Sequence, residues 1–186
     1  MNIEASPARR HSRVIMLLHW LIAICVIVNW RLVEAGEHAS DAEKEALMGN
    51  HFALGVVILL MAVLMIGWKL GHPSPPLANH LAAWEVALAK VVHTLFYLLL
   101  IAMPLLGWVA MSSYGQGIEV FGIFTWPALP VPVNPDVAGT IFDIHGLLGT
   151  ILVILIALHV AGALKHQFID RDGNLYRMLP FGKPKA

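Results

Sequence analysis

Ten histidines stand in this chain of 186 residues. Five of them, His19, His51, His93, His145 and His159, lie in or at the ends of long apolar stretches. An ionisable side chain at membrane depth is costly and marks a function. His145 and His159 are 14 positions apart in one stretch. On an α-helix that spacing rises about 21 Å and completes close to four turns, so both rings share a face at two depths. If successive stretches alternate in direction, His51 matches the depth of His145 and His19 that of His159. Two imidazole pairs result, with one helix common to both. Facing imidazoles in a bundle are what a six-coordinate haem needs, one axial nitrogen on each side of the ring.

A flat macrocycle also needs room beside its ligands. The residue four positions on lies on the same helix face. It is Ala23 after His19, Gly55 after His51, Gly149 after His145 and Ala163 after His159. After His93 it is Tyr97, which is bulky. The expected iron ligands are therefore His51 with His145 and His19 with His159, with Gly55 and Gly149 beside the ring. Any one of these could be a packing histidine bonded to a carbonyl, and small residues also aid helix packing. Two matched pairs at two depths favour the haem reading. A zinc or iron ion would gather three or four ligands at one depth, often with Cys, Asp or Glu. No acidic residue lies deep in a span, so metal-ion transport is the weaker reading. No Cys-x-x-Cys-His is present, so the haems are expected to be non-covalent. His11, His38, His72 and His80 read as solvated, and His166 as either a surface residue or a site residue.

The elements that must position these rings follow from composition. Hydrophobic residues make up 58% of the chain, charged residues 13%, and mean hydropathy is +0.72. Soluble domains carry about 25% charged residues, so a soluble domain and a disordered chain are both excluded. Four stretches meet the roughly 20 apolar residues that a bilayer crossing requires: about 14–33, 51–68, 86–111 and 141–164. The first is no cleaved signal peptide, because it lacks a small-residue cleavage site and contains His19. Prolines punctuate the connections, at Pro73, Pro75 and Pro76 and again at Pro127, Pro130, Pro132 and Pro135. The lone Cys25 reads as a small hydrophobe. The expectation is one all-α domain over residues 1–186, a transmembrane four-helix bundle holding two non-covalent b haems.

Lys and Arg set orientation. With the N-terminus inside, that side holds Arg9, Arg10, Arg13, Lys69, Lys90, Lys165, Arg171, Arg177, Lys183 and Lys185. The other side holds only Arg31 and Lys44. Both termini are thus expected in the cytoplasm. The acidic residues Glu34, Glu37, Asp41, Glu43, Glu45, Glu119, Asp136 and Asp143 face out. Twelve basic and twelve acidic residues cancel overall, so nothing draws nucleic acid.

Several runs resemble the bacterial cytochrome b561 family. They are Leu18-His19-Trp20, His51-x-x-x-Gly55, and Lys90-x-x-His93-x-x-x-Tyr97-Leu98-Leu99-Leu100-x-x-x-Pro104-x-x-Gly107. His145-x-x-x-Gly149, His159-x-x-x-Ala163-Leu164-Lys165-His166 and the tail Arg177-Met178-Leu179-Pro180 complete the set. The resemblance covers nearly the whole chain. It implies a multi-pass protein of the bacterial inner membrane, with two b haems exchanging electrons with ubiquinone. It also implies axial ligands from the first, second and fourth helices, as in the related cytochrome b subunits of hydrogenases and formate dehydrogenases.

One type within the family is a superoxide oxidase, which passes electrons from superoxide at the periplasmic face to ubiquinone. An anion would be steered by positive charge, and the outer side here is acidic. A basic carrier protein or a neutral reductant suits that rim equally well. The alternative is a haem-bearing membrane anchor of a hydrogenase- or dehydrogenase-type complex. On the quinone side the candidates are Lys90, His93 and His166. His93 could also hold a haem propionate, or replace His19 or His159 at the iron. The apolar loop from Gly117 to Val133 is expected to act as an interfacial lid. Expected partners are membrane lipid, quinone and a periplasmic electron donor, with a homodimer as an option for assembly.

Overall fold

The structure, a computed structural model, describes residues 10–72, 75 and 81–182. Arg9, His80, Lys183, Lys185, Pro73 and Pro76 lie outside the described residues. Four long helices form: α1 (Arg13–Glu37), α2 (Asp41–Gly71), α3 (Ala83–Ser113) and α4 (Pro135–Lys165). All four are long and apolar enough to cross a membrane. Each extends beyond the apolar stretch read from sequence, because polar turns cap it. Ser12 Oγ accepts from Ile15 N (3.3 Å) at the start of α1. Ser40 N donates to Glu43 Oε2 (3.1 Å) ahead of α2. Asn134 Oδ1 accepts from Asp136 N and Val137 N at the start of α4. Pro135 is thus the first residue of α4 rather than a break before it, a position where a missing N–H costs nothing.

The chain runs up, down, up and down, with α1 packed along α2, α2 along α3 and α3 along α4. The buried core is thin. Ile22, Ile58, Ala62, Met65 and Leu100 form one cluster, against which Cys25 packs. Val92, Leu99, Leu152 and Leu155 form another between α3 and α4. Large apolar side chains point outward instead, among them Leu17, Leu64, Leu147 and Leu158. Such a surface suits hydrocarbon and would not suit water.

At one end of the bundle the segment read as a lid forms a two-stranded hairpin, β1 (Ile118–Val120) and β2 (Phe124–Trp126). Ile118 and Val120 are buried against Ala53 and Val56 of α2. Trp108 Nε1 donates to Pro127 O (2.8 Å), and Leu129 N donates to Ser112 Oγ (2.9 Å). The other end carries both termini of the described chain. His11 N donates to Arg177 O (3.1 Å) and Trp20 Nε1 to Met178 O (2.8 Å), so the C-terminal tail folds across the start of α1.

Candidate haem-binding site

The four paired histidines come from three helices. His51 opens the span of α2 and His145 lies ten residues into α4, and their ring centroids stand 6.0 Å apart. His19 of α1 and His159 of α4 stand 6.2 Å apart. An imidazole nitrogen binds a first-row metal at about 2 Å, with its ring centroid about 1 Å behind, so rings either side of one iron have centroids about 6 Å apart. Both pairs match that separation.

The surrounding packing leaves a slot. Among the four described helices, α4 packs closely on α3 and far less on α1 or α2. Its approach to α1 and α2 is made through rings: His19 to His159, His51 to His145, and Phe52 to Phe142 (centroids 6.4 Å). A Cβ added at Gly55 would meet nothing within 4 Å. One added at Gly149 would sit 3.6 Å from Met103 Cε. Open space beside His51 and a close contact behind His145 fit a flat group between α2 and α4.

Polar atoms mark the same two levels. Among the described residues, the buried side-chain nitrogens and oxygens without a partner are Arg10 Nε, His19 Nδ1, Asn29 Oδ1, Trp126 Nε1 and His145 Nδ1. Buried polar groups are normally satisfied, so each orphan calls for an explanation. His145, Asn29 and Trp126 belong to the hairpin end; His19 and Arg10 belong to the terminal end. His51 is oriented differently. Its Nδ1 lies 3.2 Å from Asn29 O, as donor, which leaves Nε2 as the unprotonated nitrogen. Donating one ring nitrogen to a carbonyl fixes the tautomer that ligates through the other.

The quinone-side candidates separate. His93 is exposed, its Nδ1 is 2.6 Å from Ala89 O, and its ring meets His159 edge to face. Lys90 is exposed one turn earlier on α3. Tyr97 turns away, its hydroxyl accepting from Lys69 Nζ (3.0 Å). His166 has carboxylate partners. It opens a single wider π-helical turn, His166–Asp170, and its Nδ1 lies 2.8 Å from Asp172 Oδ2 and 3.0 Å from Asp170 Oδ2. Lys165 Nζ bridges Asp170 Oδ2 and Glu85 Oε1, both at 2.7 Å, so the end of α4 is tied to the start of α3.

Two contributors escaped the sequence reading. Gly107 of α3 faces His145: a Cβ there would lie 3.7 Å from Cε1 and 3.9 Å from Nδ1. Ser112, buried at the end of α3, ties the segment after the hairpin to the bundle through Leu129 N and donates to Trp108 O. Gly107 stands in the third-span run quoted above, but only its position opposite His145 gives it a role.

The sequence profile described as prokaryotic cytochrome b561 matches residues 10–181. The chain belongs to the prokaryotic cytochrome b561 family. Among its relatives is the probable superoxide oxidase CybB of Yersinia pestis. That protein is 31% identical over 172 residues, covering 92% of this chain and 97% of the relative. Cytochrome b561 homolog 2 of Escherichia coli K12 is 31% identical over 186 residues, covering 96% and 95%. Cytochrome b562 of Cereibacter sphaeroides is 28% identical over 177 residues, covering 91% and 94%. This cytochrome b561 family member is a multi-pass membrane protein of electron transport, and its family carries b-type haem.

Proposed function

We propose that this protein carries single electrons across the bacterial inner membrane through two b haems, from a periplasmic donor to ubiquinone. His51 and His145 would hold one iron at the hairpin end, and His19 and His159 the other at the terminal end. The observation that carries this reading is the geometry of α4. It presents two rings 14 residues apart, each meeting a partner ring at about 6 Å across a slot that α1 and α2 leave open. When bound, b haem supplies reversible one-electron chemistry at iron.

The chain's own residues do the rest. The four imidazoles orient the ring planes. The apolar walls exclude water and lower the local dielectric, which tunes the potential. Asn29 O fixes the tautomer of His51. Trp126 Nε1 and Arg10 Nε, buried without partners, would be available to donate to carboxylates of a bound haem.

The terminal end is the cytoplasmic end in this reading, because Lys and Arg concentrate there. Reduction of a quinone there takes up two electrons and two protons. His93 beside His159, with Lys90 a turn earlier, offers donors to a quinone carbonyl. His166, held between Asp170 and Asp172, can pass a proton inward.

Superoxide is the donor that the name of the Yersinia pestis relative suggests. The hairpin end argues for another donor. It carries eight acidic residues against Arg31 and Lys44, and Arg31 is already paired with Glu34 (3.3 Å). The deciding experiment is a pyridine haemochrome assay on purified protein. Two haems per chain are expected, falling to one in His145→Ala and in His159→Ala. A colourless protein would overturn the reading.

A further inference from the structure

After α4 the chain turns back on itself at the terminal end and encloses a cleft of about 280 Å³, lined by Gln167, Phe168, Arg171, Gly173 and Tyr176. Small-molecule sites begin at roughly 300 Å³, so this volume suits a headgroup rather than a large ligand. An unusual backbone makes it. The helical ladder widens into the π turn His166–Asp170, and such turns are frequent at functional sites. Arg171 follows at φ 53°, a left-handed conformation that non-glycine residues rarely take, and Gly173 at φ 73°. The 3₁₀ turn Asn174–Arg177 then returns Tyr176 to the side of Gln167, whose Nε2 donates to the Tyr176 hydroxyl (3.4 Å).

The lining selects an oxyanion. Arg171 is the one charged side chain in it, and a planar guanidinium matches a phosphate. Its Nε donates to Phe168 O (3.3 Å), which steadies the group. The Tyr176 hydroxyl accepts from Gln167, so its own proton can go to a second phosphate oxygen. Two carboxylates stand close in sequence, and neither lines the cleft. Asp170 is held by Lys165 and His166, and Asp172 by His166.

The place of the cleft selects which phosphate. Arg171 follows the π turn that continues α4 past its apolar span, and headgroups lie just beyond a bilayer core about 30 Å thick. Phe168 and Ile169, 66% and 75% exposed, offer apolar surface at the same level. Arg10, Arg13, Lys69 and Lys165 stand at this end of the bundle, and juxtamembrane cations draw anionic lipid. We infer that the cleft holds the phosphodiester of an anionic phospholipid from the leaflet at the terminal end. Arg171 and Tyr176 bind two of its oxygens, and Phe168 lies along the glycerol.

Phosphatidylglycerol and phosphatidylcholine with identical acyl chains, offered together to the purified full-length protein in detergent, test this by native mass spectrometry. The wild type should retain phosphatidylglycerol in preference. Arg171→Gln should lower the ratio by about tenfold, as loss of a charged hydrogen bond does, and Tyr176→Phe by about threefold. Arg13→Gln removes a charge from the same end, outside the cleft, and should leave the ratio unchanged. Far-ultraviolet dichroism checks that each variant is folded, and if Arg171→Gln is not, Tyr176→Phe decides. Equal retention of the two lipids, an unchanged ratio in the cleft variants, or an equal fall in Arg13→Gln would overturn the assignment. Calorimetry with inorganic phosphate addresses the other source. Binding of free phosphate that Arg171→Gln abolishes, without a lipid preference, would make this a soluble-anion site and overturn it too. Haem content does not enter these readouts, so failure here leaves the electron-transfer reading standing.

Discussion

The rings of His93 and His159 meet edge to face with centroids 5.3 Å apart, closer than His159 is to His19. His93 comes from α3 and is exposed, whereas His19 lies on the far side of the slot. Two roles at one level can thus be separated by substitution. His19→Ala should lose one of two haems. His93→Ala should retain both and slow electron transfer to quinone. Haem stoichiometry with quinone-reduction rates checks this, and the reverse pattern would place His93 at the iron.

Gly107 offers a graded probe of the hairpin-end level. A Cβ there would make an ordinary contact with His145 at 3.7 Å, so Gly107→Ala should be nearly silent. Gly107→Leu would push the imidazole from its position, at about 1–3 kcal/mol of overpacking. On the proposed ligand pairing, the expected result is one haem per chain with the terminal-end spectrum intact.

The hairpin can be tested through Gly117. A Cβ at this residue would lie 2.8 Å from Trp126 O and 2.9 Å from Thr125 Cγ2, both parts of the partner strand. Gly117→Ala should therefore open β1 from β2, costing about 1–3 kcal/mol locally. Hydrogen exchange should quicken at residues 118–126 and remain slow in α2 and α3.

At the terminal end, burial holds the His11 imidazole below its ordinary value, and the nearby cations Arg177 and Lys69, with His93, push it the same way. Folding against the tail thus favours neutral His11. A depressed folded value means the tail's docking is complete above about pH 6.5 and weakens as pH falls below it. Protection of residues 174–182, measured against the intrinsic exchange rate at each pH, should fall as pH drops from 7.5 to 5.5. His11→Gln should flatten that dependence.

Much of this arrangement is legible in one dimension. Fourteen residues between His145 and His159 fix their common face, because helical rise and pitch are set by backbone hydrogen bonds. Small residues one turn on mark where a flat group could lie. Other features depend on which helix faces which. Gly107 matters only because α3 brings it against His145, some forty positions away in sequence. The hairpin was hidden by Pro127, Pro130 and Pro132, which read as loop, although Ile118 and Val120 alternate inward around Glu119. Spacing from His159 brings His166 to the quinone side of the bundle. The carboxylates of Asp170 and Asp172 reach it because the helix widens after Lys165, which spacing cannot foretell.

One helix carries a histidine of each pair. The interval between the two levels is therefore held by a single rod of hydrogen-bonded backbone, not by the looser fit of helix against helix. Lipid thickness, temperature or substitutions in α1 and α2 can alter the partner rings, yet the spacing along α4 stays constant. A one-residue insertion between Gly149 and His159 would turn the lower ring by about 100° and leave the upper one in register. The chain thus keeps the distance between its two levels under local control, as a ruler does with two engraved marks.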